Sequence, residues 1–206
     1  MERGYETFRK AIAAGVFIGM GCITFLSCEN KVIGAFLFAV GLCSVVIFGS
    51  KLLTGALCTS DDWKELTVVN LGNCTGIFVM ALLARASGVI GEIDMSARVG
   101  RPFYENILRG IICEICIYIA VMGYKRCRSL LIIVLGVMVF ILCGSEHCIA
   151  DFFYILMSLS GGVWYKEILF VFLVTIGNII GAAFMRWLDP YDDMTVHLSF
   201  DDDGIF

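Results

Sequence analysis

Charge is scarce in this chain. Lys, Arg, Asp and Glu make up 17% of its 206 residues, against 59% hydrophobic. A soluble domain of that size cannot hide so much apolar surface, which excludes an ordinary soluble class. Histidine is nearly absent, with only His147 and His197. There is no nucleotide-binding motif, and no nucleophile, base and orienting group stand together, so an enzyme lacks its machinery. No cofactor and no nucleic acid is expected. Cys113-x-x-Cys116 has metal-like spacing, but no second pair or His cluster accompanies it. The first apolar run lacks an A-x-A-like cleavage site and is long enough to be a true helix rather than a signal peptide. What remains is a mean hydropathy of +0.89, which points to a polytopic membrane protein.

Six apolar runs are visible, at roughly 8–28, 31–50 (running on to 58), 66–87, 104–123, 129–157 and 167–188. Each is near the ~20 residues a bilayer requires. The second and fifth are longer than needed, and each has a polar break inside it. Positive charge sets the orientation. With the N-terminus in the cytoplasm, the inner segments carry Arg3, Arg9, Lys10, Lys64, Lys125, Arg126, Arg128 and Arg186. The outer ones hold Lys31, Arg98, Arg101 and Lys166. Both termini are therefore expected inside a plasma (inner) membrane. Residues 189–206 read as an acidic, solvated and disordered cytoplasmic tail, carrying an inert His197. The 10 cysteines fall mostly inside spans and read as small hydrophobes.

The break in the fifth run is Gly144-Ser145-Glu146-His147. Ionisable groups at membrane depth cost a few kcal/mol and by default mark a site or pathway. Gly144 can interrupt a helix there only where the freed backbone lines a cavity or is covered by protein. The second run has a matching break, Gly49-Ser50-Lys51. Further on, Gly72-Asn73-Cys74-Thr75-Gly76 matches Gly177-Asn178-Ile179-Ile180-Gly181 as G-N-x-x-G. The order of matches makes two halves of three spans, about 8–87 and 104–188. An odd number of spans inverts one half against the other and brings the broken helices together near the midplane. Leu52, Leu53 and Thr54 would then face His147. The G-N-x-x-G residues are assigned to close helix packing.

These residues resemble the formate/nitrite transporter family over about residues 8–188. Phe140 to Phe153 is similar to the family's F-x-x-x-G-x-E-H-x-x-A-N-M signature on its broken fifth helix. Gly41-Leu42 with Gly49 to Gly55 resembles the G-L … G-x-E-L-F-T-G-N of the second helix and its Ω-loop. Gly110 to Cys113 resembles the fourth-helix G-x-x-C-N, and Gly177 to Gly181 the sixth-helix G-N-x-x-G. The resemblance implies an all-α membrane protein of two inverted three-helix repeats, an aquaporin-like protomer assembled as a homopentamer in the bilayer, with one pore per protomer. It implies apolar constrictions at Phe38, Leu42, Leu52, Ile117 and Phe140, with Thr54 and His147 as the polar pair between them. Arg98 falls where the family has a vestibule lysine, Glu114 where it has an asparagine, and Glu146 on its glutamate. The Ω-loop glutamate has become Lys51, and the asparagine after Ala150 has become Asp151. Because Arg98 and Glu114 change together, a direct charge pair between them is expected.

The implied function is a channel or proton-coupled carrier for a small weak-acid anion such as formate or nitrite. The neutral acid would cross the apolar constriction. A hydrosulfide channel is a variant of the same reading. A metal site is a competing one, because His147 and Asp151 are an i, i+4 pair that could chelate a divalent ion. For His147 itself two roles compete, a pore group and a hydrogen-bonded structural residue. Arg98 and Glu146 likewise read either as substrate contacts or as a buried ion pair that holds the loop.

Overall fold

The computed structural model describes residues 2–158 and 164–189, and every regular element among them is helical apart from one isolated bridge. The elements are α1 (Glu2–Leu26), α2 (Lys31–Ile47), α3 (Leu53–Leu57), α4 (Trp63–Ser87) and α5 (Ser96–Val99). They continue as α6 (Phe103–Cys127), α7 (Leu130–Leu142), α8 (Cys148–Met157) and α9 (Trp164–Leu188). All but Asp189 of the acidic tail, His197 included, lies outside the described residues.

The ends of these helices follow from local chemistry. Asn30 caps α2 by accepting from the Val32 and Ile33 N–H groups, and Asp62 caps α4 through Lys64 and Glu65. Gly88 ends α4 in the left-handed region. Among the described residues, four stretches are long and apolar enough to cross a membrane: Gly4–Leu26, Trp63–Ser87, Phe103–Cys127 and Trp164–Leu188. The second and fifth apolar runs are interrupted where the sequence places a glycine in each. Gly49 and Gly144 have φ of +59° and +68°, which an L side chain adopts only with strain. After each interruption a short helix follows, α3 in the first case and α8 in the second.

Helices α1 and α4 pack together, as do α6 and α9. The G-N-x-x-G glycines let their backbones touch. A Cβ on Gly76 would lie 2.2 Å from the Ile12 carbonyl oxygen, and one on Gly177 would lie 2.2 Å from that of Ile107. The packing role expected of these glycines is thus observed. Helix α2 lies between α1 and α7, and α7 also packs on α6. The short helices cross over: α3 packs against α6 and α9, and α8 against α4 and α1, as well as each against its own half. Phe36, Val40, Leu71, Phe78, Leu82, Ile112 and Phe172 face outward, an apolar exterior suited to lipid rather than water.

Candidate functional site

Both interruptions are held by the same device. Asn73 on α4 accepts from the Leu53 N–H (2.8 Å) and donates to the carbonyls of Ala11 (2.8 Å) and Lys51 (2.9 Å). Asn178 on α9 accepts from the Cys148 N–H (3.1 Å) and donates to the carbonyls of Gly110 (2.8 Å) and Glu146 (3.3 Å). Both asparagines are fully buried. Each satisfies the first free N–H of a short helix and a carbonyl of the loop before it, groups that would be costly to leave bare at this depth. This role was missed when the motif was assigned to packing alone. An amide inside an apolar helix was the available signal, since a polar residue there needs a partner.

The two short helices begin next to each other. Thr54 Oγ1 and His147 Nε2 are 3.0 Å apart, and both residues are buried. His147 is also the N-cap of α8: its Nδ1 accepts from the Ala150 N–H at 3.2 Å. With Nδ1 accepting, the neutral ring carries its proton on Nε2 and donates it to the Thr54 hydroxyl. The expected Thr54–His147 pair is therefore present in the geometry. Its two other neighbours from the sequence, Leu52 and Leu53, are buried with it.

Two recesses flank this pair. One, of about 180 Å³, is lined by Phe38, Phe140, His147, Arg98, Arg101 and Glu146, among others. Phe140 lies over the His147 ring with centroids 6.0 Å apart, and Phe38 meets Phe140 edge-on at 5.8 Å. The other recess, of about 560 Å³, includes Leu42, Leu52, Lys51, Lys125 and Arg128 in its wall. Ile117 is buried in the core and lines neither recess. The residues named as constrictions thus divide, with Phe38 and Phe140 on one side of the polar pair and Leu42 and Leu52 on the other.

The charges do not pair as the sequence led one to expect. Arg98 donates to Glu146 at 3.0 Å and to Asp151 at 3.1 Å, and its guanidinium lies 4.7 Å from the centre of the Tyr154 ring. Arg101 takes the other oxygen of Glu146 at 2.5 Å. Glu114 is not in this cluster. The carboxylate partners of Arg98 are Glu146 and Asp151, and Glu114 makes no ion pair with it. Glu114 is fully buried, and its Oε1 lies 3.3 Å from Cys58 Sγ. The expected Arg98–Glu114 pair is therefore overturned. Arg98 and Glu146 are joined as the ion-pair reading had it, with Asp151 added.

Lys51 belongs to the opposite mouth. Its ammonium donates to Glu65 and, at 3.3 Å, to Thr7. Two further arginines were not anticipated as contributors. Arg109 donates to the Gly144 carbonyl at the second interruption, and Arg85 donates to the Leu156 and Ser158 carbonyls at the end of α8. Both satisfy helix-end carbonyls with a cation. Their position on the polar ends of α6 and α4 was the only sequence signal.

No group of three or more His, Cys, Asp or Glu suited to a metal occurs among the described residues. His147 and Asp151 do not form a chelate, because the ring is engaged by Thr54 and Ala150 while Asp151 is held by Arg98. The cysteines among the described residues are all free thiols.

A family model described as "Formate/nitrite transporter" matches residues 3–191. The chain is 25% identical to "Formate channel FocA" of Haemophilus influenzae, over 91% of this chain and 88% of that protein. It is 28% identical to "Formate channel FocA" of Escherichia coli K12, over 75% of this chain and 66% of that one. Among solved structures it is similar to a "Pentameric formate channel with formate bound", with a TM-score of 0.77 and 22% identity over 91% and 96% of the two chains. It is also similar to an "FNT family ion channel", with a TM-score of 0.81 and 21% identity over 91% of each.

Proposed function

The chain belongs to the formate/nitrite transporter family, and on that premise we propose that it is a membrane channel for small monovalent weak-acid anions, formate first among them. The observation that carries this reading is the buried Thr54–His147 hydrogen bond, flanked by a recess on each side. A pore through a protomer needs a polar midpoint reached from both faces and otherwise apolar. Phe38 and Phe140 form one closure, Leu42 and Leu52 the other.

Six crossings are proposed, counting the α2–α3 and α7–α8 pairs as one interrupted span each. They form two inverted repeats, about 8–87 and 104–188. The paired devices of Asn73 and Asn178 support this repeat. The direction of the short helices supports its inversion: both begin at the centre, and α3 runs toward Arg186 whereas α8 runs toward Arg85. The N-terminal end of α1 and Asp189 lie at the Lys51 mouth, through Thr7 and through Arg126. The cations gathered there support a cytoplasmic assignment of both termini. Assembly as a pentamer in the plasma membrane is proposed from the likeness to the pentameric channel.

The proposed passage follows from solvation. An ion moved into apolar surroundings without a partner faces a Born penalty of tens of kcal/mol, whereas an uncharged polar group loses roughly 2–7 kcal/mol. In the Arg98 recess formate takes a proton from water as the surroundings become less polar. Formic acid then passes the two closures, meeting hydrogen-bonding groups only at Thr54 and His147, and returns the proton to water beyond. The test is flux into liposomes of formate, nitrite, acetate and lactate at two pH values. Formate flux that rises as pH falls, without net charge movement, is the expected result. A pH-independent, electrogenic flux would mean that the bare anion crosses.

A further inference from the structure

Glu114 is a fully buried acid that the passage does not use. It sits at the middle of α6, and α9 closes over it at Gly181, where a Cβ would lie 2.7 Å from the Glu114 Cβ. Its Oε2 has no hydrogen-bond partner among the described residues. Its Oε1 lies 3.3 Å from Cys58 Sγ, and the same sulfur lies 3.3 Å from the carbonyl oxygen of Thr54. Two contacts thus connect this carboxyl to the residue whose hydroxyl meets His147.

A thiol has one proton, and Sγ touches two oxygens. The Thr54 carbonyl can only accept, so the S–H is used there. The remaining contact is a hydrogen bond only if Glu114 bears a proton and donates it to sulfur. An ionised carboxylate would leave Oε2 bare in an apolar site. Among the described residues the groups around it offer no free cation; Lys125 of α6 and Arg186 act on the neighbouring Cys58, and Lys125 is itself engaged. From α3 there is Cys58, from α6 itself Cys113, and from α8 Cys148 and the Arg98-bound Asp151. From α9, Arg186 is committed to Asp61 and to the carbonyls of Leu57 and Ser60.

We propose that Glu114 is a proton-bearing positioning residue. Its O–H, relayed by Cys58, holds the Thr54 carbonyl and so keeps the Thr54 hydroxyl against His147. If the proton leaves to water reached through the pore, the relay reverses: Cys58 donates to the carboxylate, and the Thr54 carbonyl loses its partner. Flux then falls on the alkaline side for a reason separate from the supply of neutral substrate. This rests on the reading of Thr54 and His147 as the pore's midpoint.

The experiment uses formate flux and infrared spectroscopy on the full chain. Glu114→Ala and Cys58→Ala each lower flux several-fold, and Glu114→Gln, whose amide still donates to sulfur, recovers most of the Glu114→Ala loss. The ratio of wild-type to Glu114→Gln flux falls several-fold as pH rises, and this ratio cancels the change in substrate protonation. A carboxylic C=O band present in wild type is missing in Glu114→Gln and shifted in Cys58→Ala, which also serves if Glu114→Ala does not fold. A constant flux ratio, or no acid band that depends on Glu114, overturns the proposal. Absence of any formate flux in wild type overturns the channel reading instead, and the infrared comparison still decides whether Glu114 bears a proton.

Discussion

Asn73 and Asn178 stand in the same relation to the two interrupted spans. Each accepts the first free N–H of a short helix and donates to a carbonyl of the loop before it and to one on a neighbouring helix. The two sites are built alike although the loops they hold carry opposite charges, Lys51 and Glu146. What repeats is the need to satisfy backbone at a break, not the chemistry of the mouth beside it.

Replacing either asparagine removes three hydrogen bonds and strands buried backbone groups. Asn73→Leu and Asn178→Leu are each expected to cost about 4–6 kcal/mol, from ~1 kcal/mol for each of the three lost bonds plus ~1–3 kcal/mol for groups left unsatisfied. Thermal unfolding of the purified oligomer measures this. A melting profile unchanged in both variants would show that water replaces the amides at no cost.

His147→Phe should reduce flux to near background while the oligomer stays assembled. It removes the midpoint donor and adds bulk beside Phe140. A modest loss of stability, about 1 kcal/mol, accompanies loss of the α8 cap. Thr54→Val keeps the shape and should lower flux several-fold. Wild-type flux in a well-assembled His147→Phe protein would make the histidine a cap and nothing more.

Arg98 is shared by Glu146 and Asp151, so its removal leaves Asp151 buried without a cation. Arg98→Ala alone should therefore destabilise more than Arg98→Ala combined with Asp151→Asn. Breaking a buried pair costs about 3–5 kcal/mol, and the partly exposed Arg98 places this case at the lower end. A double-mutant cycle on thermal stability reads the coupling. Additive effects would mean that the two residues do not interact. The same cycle with Glu114→Gln should show no coupling to Arg98.

The Arg126 guanidinium, by hydrogen bond and charge, holds the Asp189 carboxyl below its ordinary range. A lowered value stabilises the folded arrangement above the ordinary aspartate pKa, and that contribution is lost as pH falls below it. The end of α9 should accordingly become more open to hydrogen exchange in acid, and Asp189→Asn should show the acid behaviour at neutral pH. Equal exchange at both pH values in the wild type would remove Arg126–Asp189 as an anchor.

Much of this was legible along the chain. Apolar content identified the membrane class, because no soluble fold can bury so much of it. The glycines of Gly49-Ser50-Lys51 and Gly144-Ser145-Glu146 marked both interruptions, because a positive φ is a local requirement that a single residue reveals. His147 was visible for a similar reason: an imidazole in an apolar run needs an explanation, and the matching break pointed to Thr54 as its neighbour.

The charges were a different matter. Arg98 and Glu114 looked like partners only because both depart from a family pattern, and linear position carries no depth. The rise of α6 takes Glu114 inward to Cys58, whereas the loop after Gly144 brings Glu146, and α8 brings Asp151, back to Arg98. Likewise the amides of Asn73 and Asn178 found their partners only once α4 met α1 and α9 met α6 at contacts close enough to exclude a Cβ. Composition and local backbone preference decide the class of this protein and where its helices break. Which polar groups meet across those breaks is decided by the depth and approach of helices far apart in the chain, and that belongs to the tertiary structure alone.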